Sequence, residues 1–492
     1  MSSGLHGERA QMILGRKQLL INGEWRDGGG KPIPVVNPAT EEVIAEVANA
    51  TKEDVDAAVQ SARAAFEGPW AKVSARERGR LLWKLGEKLM EQADAIATLE
   101  TQHNGKPIFE SRQIEIPASV ECLQYYAGWA DKVHGETVPV KGNALVYTRR
   151  EPLGVVAAIV PWNFPLMLAV WKVAPALAMG NTVILKPASQ TPLTALELGR
   201  LALEVGFPPG VLNVITGSGS TTGQAIVEHP GIDKIAFTGD TSTGKGIMRS
   251  AAETIKHVTL ELGGKSPNIV FADADIDAAV RGATVGIFYG KGEVCAAGSR
   301  LLVEASIKDE FMDKLAARAK KMSVGDPMDP KTRFGALSSK AHFERVLGYI
   351  ETAKKEGAAL VAGGQRADIG TGKGYFLQPT VFGNVTTDMT IAKEEIFGPV
   401  LACIEFADVE DAIAKANGTI YGLAAGLWTK DVKKAHYVAS KLKAGTVWVN
   451  TYNVYDTAVS FGGYKQSGFG REMGMHALDY YTQLKSVWVD LN

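Results

Sequence analysis

Five short apolar runs between residues 151 and 262 constrain the fold of this chain more than any other feature. They alternate with stretches of helical pattern and occupy residues 155–160, 182–185, 212–215, 235–237 and 258–260. Parallel strands that are buried on both faces are continuously apolar in this way, and their alternation with helices predicts a doubly wound parallel sheet. Sheets of this kind bind ligands at the carboxyl ends of their strands.

A second α/β pattern runs from residue 263 to about residue 478. Its predicted strands cover 269–271, 301–303, 401–406 and 446–449, and its predicted helices cover 275–289, 306–321, 340–356 and 431–441. A chain of 492 residues is too long for one hydrophobic core, so we expect two or three domains.

The two ends of the chain and a short internal segment have a different character. Residues 1–17 have the composition of a loose leader, and the strand that begins at Leu19 turns at Asn22-Gly23, a strong hairpin signal. Alternating residues at 137–149 predict a two-stranded ribbon, which is too small to be stable alone. The tail at 481–491 also alternates and is a candidate third strand of that ribbon.

The composition argues against several classes of function. A net charge of -1 offers no basic surface for nucleic acid or an anionic membrane, and no apolar run is long enough to span a bilayer. The N-terminus lacks the apolar core of a signal peptide, which predicts a cytoplasmic location. The three cysteines, Cys122, Cys295 and Cys403, form neither a disulfide framework nor a zinc motif, so a thiol can remain free.

One of these cysteines, Cys295, pairs with Glu261 as a candidate catalyst. Glu261 ends an apolar run and is followed by Gly263 and Gly264, while Cys295 lies in the segment Gly-Glu-Val-Cys-Ala-Ala-Gly. A thiolate can attack a carbon centre, and a carboxylate can move a proton or activate water. An arbitrary pair of this kind is more often a strand-end glutamate and a buried small cysteine. Whether Glu261 and Cys295 are catalytic therefore depends on the neighbouring motifs.

Two glycine-bearing turns follow predicted strands. The first, from Thr216 to Gly223, resembles a dinucleotide fingerprint with one residue too many between its second and third glycines. The second, which ends at Gly244-Lys245, matches GxxxxGK, but Gly246 stands where a P-loop needs Ser or Thr for magnesium. We therefore reject a nucleoside triphosphatase, although a helix N-terminus there can still bind a pyrophosphate.

The segment Pro161-Trp162-Asn163-Phe164-Pro165 closes a strand and opens a helix. It holds Trp162 and Asn163 at the carboxyl end of that strand. An amide there can donate to a developing oxyanion. Alternatively, Asn163 caps the helix and Trp162 packs against it.

Several long motifs in a fixed order resemble the aldehyde dehydrogenase superfamily. They are Glu261-Leu-Gly-Gly-Lys-Ser, the Cys295 segment, Glu395-Ile-Phe-Gly-Pro and Phe461-Gly-Gly-Tyr-Lys-Gln-Ser-Gly. The resemblance extends from about residue 19 to residue 492. It implies oxidation of an aldehyde to a carboxylic acid with NAD or NADP as the cofactor, and a homo-oligomer, either a dimer or a tetramer.

The resemblance also implies roles for individual residues. Cys295 is the nucleophile, Glu261 the base for the deacylating water, Asn163 an oxyanion donor, and Lys172 and Glu472 position groups and relay protons. The residues expected at the cofactor are Val160, Pro161, Trp162, Lys186, Ser189, Gly219, Gly223, Phe237, Thr238, Gly239, Thr243, Leu262, Gly263, Glu395 and Phe397. The residues expected along the aldehyde tunnel are Phe164, Trp171, Tyr455 and Phe461, which suit a medium-chain or aromatic aldehyde.

The chain departs from the family pattern at several positions. The common Asn-x-Gly-Gln before the nucleophile is Gly290-Lys-Gly-Glu293 here, so Glu293 either raises the pKa of Cys295 or has another role. Asp240 stands where relatives often have Ser beside the pyrophosphate, and a carboxylate would repel phosphate. Ser460 replaces a frequent Pro. Ser189 replaces a Glu that many NAD-specific relatives use, which predicts that NADP+ also binds.

We therefore expect a three-part α/β protein. A doubly wound parallel-sheet cofactor domain covers 1–133 and 151–262, a second α/β catalytic domain covers 263–478, and a small β oligomerisation arm covers 134–150 and 479–492. The alternatives are a betaine-type amino aldehyde dehydrogenase, whose cationic substrate would use cation–π contacts, a CoA-acylating relative, and a non-catalytic binding protein. Acylating relatives generally lack a base equivalent to Glu261.

Overall fold

The structure is a computed structural model that describes residues 15–492. It contains the expected doubly wound sheet, with eight strands and five parallel strands at its centre. The order across the sheet is Gly468–Phe469, His257–Glu261, Lys234–Thr238, Val155–Ile159, Thr182–Lys186, Leu212–Val214, Leu19–Ile21 and Glu24–Arg26. Five neighbouring strands pair in parallel, namely 257–261, 234–238, 155–159, 182–186 and 212–214. The expected α/β class is therefore confirmed.

Helices of the N-terminal half accompany this first sheet. They are Lys52–Glu67, Ala75–Glu91, Ala93–Asn104, Ile108–Glu110, Ile116–Trp129, Pro165–Ala178, Leu193–Glu204, Gln224–Glu228 and Thr241–Ala252, with single turns at Trp70–Lys72, Ser111–Glu115 and Gly219–Gly223. The first begins at Thr51, whose hydroxyl and Asp54 form a reciprocal capping box. Pro165–Ala178 is buried along nearly its whole length, because it packs directly behind the strand ends.

A second sheet of seven strands forms from residues after 262. Its order is Ala359–Ala362, Thr380–Gly383, Val400–Phe406, Arg300–Glu304, Pro267–Val270, Ala424–Trp428 and Thr446–Val449. All neighbours pair in parallel except Ala359–Ala362, which is antiparallel. The accompanying helices are Ile276–Phe288, Lys308–Lys321, Lys340–Lys355, Thr390–Lys393, Val409–Asn417 and Val432–Lys441, with single turns at Tyr289–Gly292, Ala305–Ile307 and Met475–Tyr481.

The predicted ribbon and tail form one antiparallel sheet. Thr482–Asp490 pairs along its whole length with Ala144–Pro152, which pairs on its other side with Thr137–Val138. The tail is therefore the third strand of the ribbon, as expected. There are two smaller sheets. One contains the strands Gly15–Lys17, Glu42–Asn49 and Gly30–Asn37, and the other pairs Tyr421–Gly422 with Tyr464–Lys465.

The prediction of a loose leader over residues 1–17 is wrong at its end. Residues 15–17 pair in parallel with 45–47 of the strand Glu42–Asn49, because that strand leaves an edge open to them. Residues 1–14 lie outside the described part of the chain. Among residues 15–492, no helix is both long enough and apolar enough to cross a membrane.

Candidate active site

The centre of the candidate site is formed where parallel strands of the first sheet end. Lys186, Thr238 and Glu261 are the last residues of three of these strands, and Asn163 follows a fourth, Val155–Ile159. Because parallel strands end at one edge of a sheet, their terminal residues can share a cleft. The short strand Gly468–Phe469 pairs with the end of the strand that carries Glu261.

Glu261 is a buried carboxylate without a hydrogen-bond partner among the described residues. It is 5% exposed, and neither carboxylate oxygen has a protein donor. Burial raises its pKa to about 8, while the positive charges of Lys172 and Arg471 act in the opposite direction. A β-carbon at Gly462 would lie only 2.8 Å from its Oε1 atom, so a glycine is needed beside it. A carboxylate in this condition is suited to accept a proton near neutral pH.

Cys295 lies in the loop between the turn Tyr289–Gly292 and the strand Arg300–Glu304, and its thiol is free. Burial raises its pKa to about 12, with further contributions from the negative charges of Glu261 and Glu395. Gly264 lies against this loop, since a β-carbon there would be 2.3 Å from the carbonyl oxygen of Cys295. The candidate nucleophile and the candidate base therefore share one site. Cys122 and Cys403 are both buried elsewhere.

Asn163 is held by hydrogen bonds on both its side chain and its backbone. Its amide nitrogen donates to the carbonyl of Glu293 at 2.9 Å, and its own carbonyl accepts from the Lys106 ammonium at 2.7 Å. Lys106 is itself paired with Glu115 in a fully buried ion pair at 2.6 Å. Asn163 is thus fixed beside the loop that carries Cys295 rather than acting as a helix cap, because no side-chain cap bond occurs at the start of Pro165–Ala178.

Lys172 and Glu472 form a buried ion pair behind the strand ends. The Lys172 ammonium also donates to the Thr238 hydroxyl at 2.7 Å. Burial lowers the pKa of Lys172 to about 7, and the negative charges of Glu261 and Cys295 oppose this shift. Lys172 therefore lies close enough to Glu261 and Cys295 for their charges to interact.

The carboxylate of Glu293 has two partners other than the thiol. Its carboxylate forms an ion pair with Lys291 at 2.8 Å and accepts from the Ser338 N–H at 2.9 Å. The main charges that raise the pKa of the thiol are those of Glu261 and Glu395, which gives no support to the first of the two roles considered for Glu293. Lys291, with a φ of 62°, also donates to the side-chain oxygen of Asn104 at 2.8 Å.

Two of the residues expected at the cofactor, Trp162 and Phe397, are in contact with each other. The ring of Trp162 meets Phe397 edge-on, with centroids 5.2 Å apart, and lies 5.0 Å from His342. His342 donates from Nε2 to the carbonyl of Phe397 at 2.7 Å. Glu395 accepts from the Gly264 N–H at 3.0 Å, and burial raises its pKa to about 7.

Small residues allow these groups to approach the backbone closely. A β-carbon at Gly263 would lie 2.0 Å from the Glu395 carboxylate, and one at Gly239 would lie 2.4 Å from the ring of Phe237. Leu262 fills the space beside Gly244 in the same way, where a β-carbon would be 2.6 Å from it. A pocket beside Glu395 is lined by Gly264, Gly292, Val294, Ala297, Ser299, Ile396, Phe397 and Gly398.

Lys186 is the charged group at the other end of the cleft. Its ammonium donates to the carbonyl of Pro187 at 3.0 Å, and burial lowers its pKa to about 8. Its main-chain carbonyl accepts from the Val160 N–H at 3.1 Å, next to Pro161. The Lys186 side chain passes Gly223 of the turn Gly219–Gly223. Ser189 is half-buried in the loop that follows Lys186.

Asp240 caps the helix Thr241–Ala252 rather than facing the cleft with a free carboxylate. It accepts from the Thr243 N–H at 3.0 Å and from the Ser242 hydroxyl at 2.6 Å, and it also bonds the Thr243 hydroxyl. These hydrogen bonds lower its pKa although burial opposes them. The pyrophosphate contact that the resemblance places at 239–244 therefore has an anionic cap beside it.

Three of the four expected tunnel residues form one aromatic cluster. Trp171 meets Phe461 at a centroid distance of 6.0 Å, and Phe461 meets Tyr455 at 5.6 Å. Phe164 instead stacks on Tyr289 at 6.2 Å, with the Lys106 ammonium 4.4 Å from its ring centre. Tyr289 and Trp448, which lies 5.6 Å from Tyr455, extend the aromatic surface.

Sequence reasoning missed four residues of this site: Lys106, Tyr289, Lys291 and His342. Lys106 and His342 belong to no motif, and their contacts with Asn163 and Phe397 form only in the folded chain. Tyr289 and Lys291 lie six and four residues before Cys295. The departure of that segment from the family pattern was the sequence feature that could have indicated them. Within the described residues, no cluster of His, Cys, Asp or Glu is arranged to hold a metal ion.

Known proteins with the same arrangement identify the family. The aldehyde dehydrogenase family model matches residues 25–487. Mitochondrial aldehyde dehydrogenase of Homo sapiens is 51% identical over 476 residues, covering 96% of this chain and 92% of that protein. The NAD+ complex of an aldehyde dehydrogenase from Bacillus cereus is 52% identical, with a TM-score of 0.95 and 97% of each chain covered.

A betaine aldehyde dehydrogenase from Staphylococcus aureus in complex with NAD+ is more distant but has the same fold. It is 42% identical, with a TM-score of 0.95, and the match covers 97% of this chain and 98% of that one. These similarities extend over nearly the whole described chain and both sheets. The chain belongs to the aldehyde dehydrogenase family and is an enzyme that oxidises an aldehyde to an acid with NAD(P)+.

Proposed function

We propose that Cys295 attacks the aldehyde carbon and that Glu261 activates the water that later releases the acid. This proposal rests on the burial and hydrogen bonding of the Glu261 carboxylate. It is a buried carboxylate with no hydrogen-bond partner among residues 15–492, and its charge raises the pKa of Cys295. A carboxylate with no structural partner is free for proton transfer at the thiol and at the bond that the thiol makes.

The chemistry has three steps on the protein side. The Cys295 thiol loses its proton as its sulfur attacks the aldehyde carbon, and the product is a thiohemiacetal oxyanion, to which Asn163 and the Cys295 N–H can donate. Loss of hydride converts this adduct to a thioester. Glu261 then takes a proton from water as the water attacks the thioester carbonyl, and the carboxylic acid leaves with regeneration of the thiol. A base with a pKa of about 8 is half ionised at pH 8 and about one-tenth ionised at pH 7, so the form that accepts the proton is populated near neutral pH.

NAD(P)+ supplies the hydride acceptor for this reaction. The residues proposed to hold it are Lys186 and Ser189 at the adenosine ribose, Glu395 and Phe397 at the nicotinamide ribose and ring, and Trp162 with the 239–244 turn between them. The close approaches at Gly263 and Gly239 support this arrangement, because a side chain at either position would fill the cleft. Gly219, Gly223 and Thr243 border the same strand ends.

We propose that Lys172 and Glu472 influence the ionisation of Glu261 and form no bond with the substrate. The positive charge of Lys172 lowers the pKa of Glu261, which keeps more of the base ionised at neutral pH. Glu472 in turn neutralises Lys172 through the buried ion pair.

The proposed substrate is a medium-chain apolar or aromatic aldehyde. Trp171, Phe461 and Tyr455 form a continuous aromatic surface, which favours an apolar chain. The second candidate is a quaternary ammonium aldehyde, since the same rings can bind a cation and a betaine aldehyde dehydrogenase is among the relatives. The presence of Glu261 supports hydrolysis over acyl transfer to CoA.

We also propose a cytoplasmic homo-oligomer, either dimer or tetramer, assembled through the arm at 134–150 and 479–492. In the isolated chain, Leu484 is 63% exposed and Trp488 is 65% exposed on the edge strand Thr482–Asp490. A long edge strand with exposed large apolar residues requires a cover. The domain boundaries at 133, 151, 262 and 478 remain part of the same proposal.

Rapid-mixing absorbance of the reduced nicotinamide tests the mechanism. Glu261→Gln should keep a rapid phase approaching one reduced cofactor per site, because hydride loss precedes hydrolysis. Its steady rate should fall by about 10²–10⁴, the usual contribution of a positioned base. Cys295→Ala should show neither phase. Near-normal steady turnover in Glu261→Gln would contradict the base assignment, and a normal burst in Cys295→Ala would contradict the nucleophile.

A further inference from the structure

A small pocket outside the proposed catalytic site is surrounded by positive charge. Its lining includes Lys265, Arg300 and Lys443, together with backbone of 416–417 and 421–425. It contains none of the residues proposed for catalysis, cofactor or aldehyde. No Asp or Glu is among its lining residues.

Lys265, one of the lining residues, has an unsatisfied ammonium. It is 1% exposed, and its ammonium has no hydrogen-bond partner among the described residues. Burial lowers its pKa to about 7, and the nearby Arg300 lowers it further, while Glu395 and Glu394 act in the opposite direction. A buried ammonium that meets no acceptor pays a desolvation penalty with no compensating bond.

Two other cations of the cluster are bonded to backbone carbonyls, so their positive charge is not neutralised. Arg300 is 2% exposed and donates to the backbone carbonyls of Lys265, Lys415 and Ala416 at 2.9, 2.8 and 2.7 Å. Lys465 donates to the carbonyls of Asn417 and Thr419. Burial lowers the pKa of Lys465, and the charges of Arg300 and Lys443 lower it further. Backbone carbonyls satisfy these donors but bring no net negative charge into the cluster.

We propose that this pocket binds one small monovalent anion of the chloride class on the ammonium of Lys265. An anion there would give Lys265 its missing acceptor and would neutralise part of the charge shared by Arg300, Lys443 and Lys465. Lys265 also follows directly on Gly264, which binds Glu395, so the anion lies one residue from the backbone that holds a proposed cofactor residue.

Bromide provides a direct test, since it replaces chloride and scatters anomalously. Crystals of the full-length wild-type enzyme grown or soaked in sodium bromide should show an anomalous peak within hydrogen-bond reach of the Lys265 Nζ. In parallel, the melting temperature should rise saturably as bromide replaces glutamate, a larger anion, at constant ionic strength. Lys265→Met should lose this rise, and the exposed-lysine control Lys355→Met should retain it.

The outcomes separate clearly. An anomalous peak at Lys265 together with a bromide-dependent rise that Lys265→Met loses supports the proposal. A water in place of the peak, or an equal bromide response in the wild type and Lys265→Met, overturns it. If Lys265→Met fails to fold, the anomalous map of the wild-type crystal decides alone. Because the readouts are diffraction and melting, a failure of the proposed aldehyde chemistry would not alter either result.

Discussion

The side-chain amide of Asn163 donates to the backbone carbonyl of Glu293 at 2.9 Å, two residues before Cys295. This bond joins the end of the strand Val155–Ile159 to the nucleophile loop. An asparagine amide carries two N–H donors, so one can position the loop while the other remains for an oxyanion. Lys106 fixes the backbone of Asn163 from the opposite side.

Removing the Asn163 amide should therefore slow the attack step. We expect Asn163→Ala to lower kcat/KM by about 10²–10³, the typical effect of losing one oxyanion donor. Steady-state kinetics with a saturating cofactor measure this loss. The control is Asn143→Ala, which removes an exposed amide that bonds Leu491 in the arm. A kcat/KM within a factor of two of the wild type would exclude Asn163 as a donor to the transition state.

The Lys291–Glu293 ion pair offers a test of how the nucleophile loop is held. Glu293→Gln keeps an acceptor for the Ser338 N–H but leaves the Lys291 ammonium without its buried partner. Breaking a buried ion pair from one side costs about 3–5 kcal/mol. We expect a clear fall in the melting temperature at a fixed scan rate.

The double variant Lys291→Met/Glu293→Gln should recover part of that loss, because no unpaired charge remains. The exposed pair Lys354 and Glu351 provides a matched control, and Glu351→Gln should change stability by less than about 1 kcal/mol. A double variant less stable than Glu293→Gln would show that the ion pair is not what holds the loop.

Most of the fold was predictable from the sequence, which also supplied the residues that we propose react. The five parallel strands of the first sheet were predicted because buried parallel strands are continuously apolar, and the observed bounds differ from the prediction by a residue or two. The strand Ala424–Trp428 in the second sheet was missed. It begins Ala-Ala-Gly, a composition with low strand propensity, and only its two neighbours make it a strand.

The parts of the site that could not be predicted are those made by contacts between distant residues. Lys106 precedes Asn163 by 57 residues and reaches it only because the helices before the sheet fold back over the strand ends. His342 precedes Phe397 by 55 residues and meets it through a hydrogen bond and an edge-on ring contact. Neither residue type nor local spacing carries that information.

Cofactor preference should depend on Ser189. We expect the wild-type enzyme to turn over with NADP+ as well as NAD+, and Ser189→Glu to shift the preference toward NAD+. A carboxylate about 4 Å from a 2′-phosphate costs on the order of 4 kcal/mol at an effective dielectric of about 20. The ratio of kcat/KM for the two cofactors measures the shift. Gln190→Glu, next to it and exposed, is the control. No measurable turnover with saturating NADP+ in the wild type would contradict this prediction.

Substrate length should matter because of the aromatic cluster of Trp171, Phe461 and Tyr455. Each buried methylene contributes about 0.8 kcal/mol. We therefore expect a higher kcat/KM for hexanal or phenylacetaldehyde than for acetaldehyde, and a smaller difference in Trp171→Ala. Trp83→Ala, at an exposed helical position, should leave the ratio unchanged. Equal or better efficiency with acetaldehyde would rule out a roomy apolar tunnel.

The charge of Glu261 should control the reactivity of the Cys295 thiol. The negative charge of Glu261 raises the pKa of Cys295, so Glu261→Gln should lower that pKa and increase the thiolate fraction. Since the pKa of Glu261 is about 8, the wild-type residue is mostly neutral at pH 6 and mostly ionised at pH 9. We expect iodoacetamide to alkylate Glu261→Gln faster than the wild type at pH 9, with the difference vanishing toward pH 6.

The alkylation of Cys295→Ala gives the background from Cys122 and Cys403, which should be low because both thiols are buried. Glu253→Gln, a change of an exposed carboxylate, should match the wild type at every pH. Slower alkylation of Glu261→Gln at pH 9 would mean that Glu261 removes the thiol proton before the attack. In that case Glu261 would serve as the base for both the thiol and the water, and the burst of Glu261→Gln should slow by the same factor as its alkylation.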